Sequence, residues 1–209
     1  EAANHGKTVV SHNLKTSEGQ AWLQDILAHT DVLLQNMKWG DLDTMGLLPD
    51  QLSEAFPHLV HVRLVGFEHR PDRLAYDVVV QAESGFMSMN GTPDRPATKM
   101  PVAMMDILAS HHMRAAVMGG LFHRERTGRG GYAEVSLWGS GLTALANQGT
   151  QWLMHGTVPQ RMGSIHPNIA PYGDMLTCRD GDVVLAVGSD AQFTSLCNVL
   201  GCDALADGS

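Results

Sequence analysis

MPVAMMDILASHHMRAAVMGGLFHRERTGRGGYAEVSL, residues 100–137, is the stretch on which the reading of this chain turns. A Pro-started extended run leads into a lone acid, Asp106, which is the only carboxylate between Asp94 and Glu125. Ile107, His111, Ala115, Met118 and Phe122 then recur at helical spacing, so a long helix with one apolar face is expected. Arg124, Arg126 and Arg129 gather where cations suit a helix C-terminus, and TGRGG reads as a turn into a strand over 133–137. An acid where an apolar strand meets an apolar helix is costly unless it caps the helix or takes part in chemistry. Capping is a common use of Asp. The other use is nucleophilic: a helix N-terminus keeps the carboxylate ionised, and an ionised carboxylate with no fixed cation can attack a carbonyl. One position serves both readings.

Upstream, KTVVSHNL (7–14) alternates with β-branched residues and reads as a strand. Thr16-Ser17-Glu18-Gly19 offers an N-cap, and Trp22, Leu23, Ile26 and Leu27 follow at helix period. DVLL (31–34) is a short strand of the fully buried type, leading into QNMKWG, a loop closed by Gly40. A short helix over 50–56 stops at Pro57, and LVHVRLV (59–65) is a further strand ended by Gly66. Strands separated by helices of this length imply crossover units and a parallel sheet. EHRPDR (68–73) is a polar loop; YDVVVQA (76–82) is a helix ending at Gly85; 89–99 is a loop.

Downstream, 142–155 reads as a helix. Residues 157–175 have three prolines and no period and read as a linker or crossing segment. A strand over 183–187 and a helix over 191–200 ended by Gly201 start a second, smaller unit. The expected division is therefore 1–155 as a large α/β domain with a Rossmann-like parallel sheet, 156–175 as a linker, and 176–209 as the start of a small α+β domain. The chain opens on Glu1 just before a strand-like run, so both ends are expected to be cuts through a longer protein.

The 209 residues carry a formal charge of −8, which argues against a general nucleic-acid or membrane-surface binder. No apolar run reaches the length of a membrane span, and no signal peptide is visible in EAANHGK. Cys178, Cys197 and Cys202 make no disulfide framework, so a reducing, cytoplasmic setting is expected. His111 and His112 point about 100° apart on a helix and cannot share one ion well, and no HExxH is present, so no metal site is expected. TGRGG is followed by no Gly-Lys-Ser/Thr; it is a tight turn or part of an anion-facing edge. Trp138-Gly139-Ser140-Gly141 is not a nucleophile elbow.

Taken in order, these segments resemble the class III CoA-transferases, the CaiB/BaiF type that includes formyl-CoA and carnitine CoA-transferases. DVLLQNMKWG is similar to the family's DVLVENFRPG, and FPHLVHVRLVGF to its NPRLVYVSISGFG. AYDVVVQAESGFMSMNG is similar to AYDLVVQAMSGLMSLTG, and AMMDILAS with HRERTGRGG to an Asp, a helix and ALxxRxxTGxGQ. The resemblance extends over nearly the whole chain. It implies the CoA-transferase III fold, here without the opening strand and most of the small domain, and a homodimer interlocked like rings or a hetero-oligomer.

The resemblance also implies the chemistry. Asp106 would be the nucleophile that passes through an acyl-aspartyl anhydride and an aspartyl-CoA thioester, exchanging CoA between an acyl-CoA and a carboxylic acid. Coenzyme A would be held by His12, Asn13, Leu14 and Lys15 after the first strand, by Asn36, Met37 and Lys38 in the loop, and by Leu74, Ala75, Tyr76 and Asp77. Lys15 and Lys38 would suit its phosphates. Thr44 stands where the family has a phosphate-binding Arg, Met37 replaces an aromatic, and His12-Asn13 replaces Leu-Asp or Leu-Asn. Two other readings stay open. One is a non-catalytic CoA-binding or assembly subunit. The other is an α-methylacyl-CoA racemase, against which Tyr76 argues: it stands thirty residues before Asp106, where that group has a His, and a phenol titrating near 10 suits the proton shuttle poorly.

Overall fold

The computed structural model describes residues 4–70 and 72–206. Pro71 of the expected polar loop, the first three residues, and the last three residues of the tail lie outside them. The chain forms two compact units, one of residues 1–84 and 101–150, the other of 85–100 and 151–209.

The first unit is a mixed α/β layer structure around three parallel strands in the order β1-β2-β3: β1 Val32–Gln35, β2 Val60–Val65 and β3 Gly131–Ser136. The strands are short, apolar runs flanked by helices, so a parallel sheet forms as expected. α1 (Ser17–Leu27) starts at Thr16, whose side chain accepts from the Gly19 amide, and buries Leu23 and Leu27. α2 (Trp39–Met45) and α3 (Pro49–Ala55) carry the chain from β1 to β2, and Leu42 and Leu52 complete a leucine core with Leu47, Phe56 and Leu59. α4 (Asp77–Glu83) and the long α6 (Met104–Thr127) lie on the path to β3, and α7 (Leu137–Ala144) follows it directly. α5 (Phe86–Met89) belongs to the second unit. The expected single helix over 142–155 is two, α7 and α8 (Ala146–His155), separated at Leu145. In the second unit β4 (Tyr172–Thr177) pairs antiparallel with β5 (Asp182–Ala186), followed by α9 (Asp190–Leu200).

Four further expectations change. Residues 7–13 form no strand; Val9 and Val10 are exposed, and the three-strand order leaves this segment without a ladder partner among the described residues. The QNMKWG loop runs into α2 at Trp39, a helix too short to show a period and held by the buried Leu42. β4 begins inside the stretch read as linker and runs two residues beyond it; Gly173, at φ +81°, breaks its alternation beside a register shift.

The fourth concerns α6. The stripe Ile107, His111, Ala115, Met118 and Phe122 faces outward, and the inner face is Met105, Ala109, Ala116 and Gly120. Small residues win the inner position because the helix lies close on β2. A Cβ built on Gly120 would meet Val60 Cγ1 at 2.5 Å. At the far end Arg124 pairs with Asp31 at 3.0 Å and donates to the His58 carbonyl. The TGRGG turn is scaffolding: Gly128, at φ +73°, caps α6, and Gly130 passes against the Leu59 carbonyl.

Candidate active site

Asp106 lies in the first turn of α6, but it does not cap the helix. The N-cap is Ala103, which has no side-chain acceptor to offer. The orphan amides are held by Asp77 from the first turn of α4: its Oδ2 accepts from the Met105 amide at 2.6 Å and from the Asp106 amide at 3.4 Å. The other oxygen, Oδ1, accepts from Nε2 of Gln81, one turn further along α4, and Gln81 is completely buried. Gln81 Nε2 also reaches the Val102 carbonyl at 3.4 Å, so a single amide ties α4 to the strand of chain entering α6. The i, i+4 spacing of Asp77 and Gln81 is a sequence signal for their own pairing, but nothing local points from Asp77 to the α6 amides.

The consequence for Asp106 is electrostatic. Among the described residues its carboxylate has no cation and no hydrogen-bond donor as partner. Partial burial, and then the charge of Asp77 beside it, push its titration above the usual value of 3.8. The expectation that the helix end holds the acid down is therefore corrected: the cap site is filled by another acid, which opposes ionisation.

A second cluster brings together three of the segments expected to hold coenzyme A. The turn after 7–13 is built on Asn13: its Oδ1 accepts from the Lys15 amide at 3.0 Å and its carbonyl from the Thr16 amide at 3.1 Å. His12 stacks on Trp22, with ring centroids 4.1 Å apart, and Leu14 packs against the leucine core. Lys15 Nζ pairs with Asp41 at 2.8 Å. Asp41 in turn lines a cavity of about 420 Å³ with Lys38, Trp39, Gly40, Asp72, Arg73 and Leu74. Lys15 holds the Asp41 carboxyl below its usual range by a direct hydrogen bond and by charge. Ala75 lies against Gly66, where any side chain would collide with it at 2.5 Å. Asn36 and Tyr76 are exposed, Tyr76 by 64%. Asp77 is spent on α6, and neither it nor Asp106 lines the Lys38 cavity. Among the described residues no three His, Cys, Asp or Glu side chains assemble as metal ligands, and no helix is long and apolar enough to cross a membrane.

The sequence and fold comparisons give one answer. The family model described as CoA-transferase family III matches residues 1–209. The chain is 38% identical over 209 residues to the succinate–glutarate CoA-transferase of Agrobacterium fabrum, covering 99% of this chain and 52% of that protein. It is 33% identical over 210 residues to the acetyl-CoA:oxalate CoA-transferase of Acetobacter aceti, covering 97% and 53%. The crystal structure of a CaiB/BaiF family protein from Brucella suis superposes with a TM-score of 0.81 at 36% identity, covering 96% of this chain and 54% of that one. The chain thus spans about half the length of the relatives it matches. With a match over its whole length and a fold shared with a CaiB/BaiF protein, the chain belongs to CoA-transferase family III.

Proposed function

We propose that the protein moves coenzyme A between carboxylic acids, with Asp106 as the nucleophile. The observation that carries this reading is the state of Asp106: a carboxylate in the first turn of a long helix, free of any cation among the described residues, with its backbone fixed by Asp77 and its basicity raised. A raised basicity makes a carboxylate a better nucleophile.

The reaction balances without a redox partner. An Asp106 oxygen adds to the thioester carbonyl, the C–S bond breaks, and coenzyme A leaves as thiolate with an acyl-aspartyl anhydride behind it. The thiolate attacks the aspartyl carbonyl, expels the donor acid as carboxylate and leaves an aspartyl-CoA thioester. An acceptor carboxylate attacks that thioester carbonyl, the C–S bond breaks to expel the thiolate and leave an acceptor-aspartyl anhydride, and the thiolate then attacks the acceptor acyl carbonyl, giving the new acyl-CoA and expelling Asp106 as carboxylate. Asp77 acts as a positioning residue that keeps the first turn of α6 in register.

The Lys38–Leu74 cavity, with Lys15 at its rim, supports the assignment of 12–15, 36–38 and 74–76 to coenzyme A. Lys15 must then exchange Asp41 for a phosphate. Outer residues 1–155 would supply the large domain, 156–175 the linker and 176–209 the start of the small one. The relatives named for succinate, glutarate and oxalate make short dicarboxylic acids the first substrates to try.

Trapping tests the reading. The full protein is incubated with succinyl-CoA and quenched with hydroxylamine, and the peptide containing Asp106 is examined by mass spectrometry for the hydroxamate. Exchange activity that survives intact in Asp106→Ala would overturn the assignment.

A further inference from the structure

On the sheet face away from α6, a row of polar side chains runs across three strands. Register sets Gln35 of β1, Arg63 of β2 and Glu134 of β3 side by side, with His61 and Tyr132 in the next row. Such groups on short apolar strands are expensive unless each is paired. The Arg63 side chain is only 4% exposed. Its Nη1 donates to Glu134 Oε2 at 2.8 Å, its Nη2 to the Met37 carbonyl at 3.1 Å, and its guanidinium lies 4.9 Å from the centre of the Trp39 ring. Glu134 Oε2 also accepts from the Tyr132 hydroxyl at 2.8 Å.

The opposite side of the same loop residue is held from β1. Gln35 Oε1 accepts from the Met37 amide at 3.0 Å. That bond orients the Gln35 amide so that its Nε2 faces His61 Nε2 at 3.2 Å; donation there assigns the ring proton to Nδ1, which is buried and, like Arg63 Nε, has no hydrogen-bond partner among the described residues. Burial, then Arg63, hold His61 down to about 4, consistent with a ring that only accepts at Nε2. Both backbone groups of Met37 are therefore gripped by side chains of one cross-strand row. Met37 lies between Asn36 and Lys38, and Trp39 follows; Arg63, Trp39, Tyr132 and Glu134 line an adjoining cavity of about 380 Å³.

We infer that Arg63 is a positioning residue for coenzyme A: with Gln35 it clamps the 36–38 loop in its binding conformation, so that affinity for the CoA moiety depends on a buried guanidinium that need not touch it. This rests on the reading of 36–38 as a CoA-contacting loop. The clamp is rigid because Arg63 is itself fixed by Glu134, and Glu134 by Tyr132.

The test uses the full protein as wild type, Arg63→Met and Arg63→Lys. Hydrogen–deuterium exchange is followed over 36–39, free and with coenzyme A, together with titration of coenzyme A and steady-state kinetics. In free Arg63→Met the segment exchanges faster, Kd for coenzyme A and KM for acyl-CoA rise about tenfold, the loss of one charge-assisted hydrogen bond, and kcat stays within about twofold. Arg63→Lys, a compact ammonium without the planar fork whose two nitrogens serve Glu134 and Met37, falls between the two. A general loss of stability would instead speed exchange throughout the first unit. If Arg63→Met does not fold, Arg63→Lys and Gln35→Leu carry the same comparison.

The two readings fail differently. Coenzyme A that protects the wild-type loop, together with unchanged loop exchange and Kd in the Arg63 variants, overturns this inference alone. Coenzyme A that binds without protecting 36–38 overturns the contact assignment and the role of Arg63 with it.

Discussion

Replacing Asp77 separates its two effects on Asp106. In Asp77→Ala the Met105 and Asp106 amides lose their acceptor, and loss of a side-chain cap costs about 0.5–2 kcal/mol. Gln81, fully buried, loses its Oδ1 acceptor as well, which costs about 1–3 kcal/mol. The two losses share one side chain, so the variant should be less stable by about 2–3 kcal/mol in urea unfolding, below their simple sum. Asp77→Asn keeps the shape and one oxygen, and should cost about 1 kcal/mol. Its decisive effect is on charge. Without the Asp77 carboxylate, the second cause of the raised Asp106 titration is gone and only burial remains. Asp106 then ionises at lower pH. The acid limb of kcat/KM, which reports the free enzyme's essential base, should move to lower pH in Asp77→Asn while the alkaline side stays put. A limb that stays where it was, or moves up, refutes the electrostatic coupling. An Asp77→Ala protein as stable as wild type refutes the cap.

Three further outcomes are expected. Because the titration of Asp106 is raised in the folded protein, its ionisation opposes folding: the penalty is absent below the unfolded value of 3.8 and grows as pH rises through the folded one, so Asp106→Asn should lose exchange activity yet unfold no more easily than wild type at neutral pH, a difference that disappears in acid. Asp41→Asn removes a negative charge from the Lys38 cavity and releases Lys15; coenzyme A should bind about threefold tighter at low salt, with a steeper salt dependence in isothermal titration. Gly120→Ala should destabilise by about 1–2 kcal/mol in thermal or urea unfolding, because overpacking against the buried Val60 outweighs the roughly 1 kcal/mol that a helix gains from Ala over Gly.

The parts of this chain that could be read from residues alone share a physical character. β1, β2 and α9 announce themselves by local composition: continuous apolar runs bounded by turns, or a Gly closing a helical stretch. α6 was readable as a helix, but its inner face was not. Periodicity reports that apolar residues share a face; it does not report which face lies close to a sheet. Where the approach is close, volume decides, and Ala109, Ala116 and Gly120 displace Ile107, Met118 and Phe122 to the outside. The strand expected over 7–14 failed for the complementary reason: β propensity is a statement about fitting a pleated, half-buried surface, and among the described residues no neighbouring strand supplies one.

The site divides along the same line. Asp106 could be found because an isolated acid at the head of an apolar helix is conspicuous. What surrounds it is long-range and could not. Asp77 lies twenty-nine residues before the Asp106 whose amide it holds, and Arg63 seventy-one before Glu134. Neither pair has a local signature; each arises when a helix start or a strand register brings two backbones together. The functional weight of these partners follows from the same geometry. A carboxylate nucleophile draws on the chain for little except its position and its basicity, and here Asp77 bears on both. Coenzyme A, in the proposed mode, meets loops rather than strands, so the sheet can act on it only by holding a loop. The cross-strand row of Gln35, Arg63 and Glu134, which reads in sequence as polar interruptions of apolar strands, is where the sheet takes hold of the 36–38 loop.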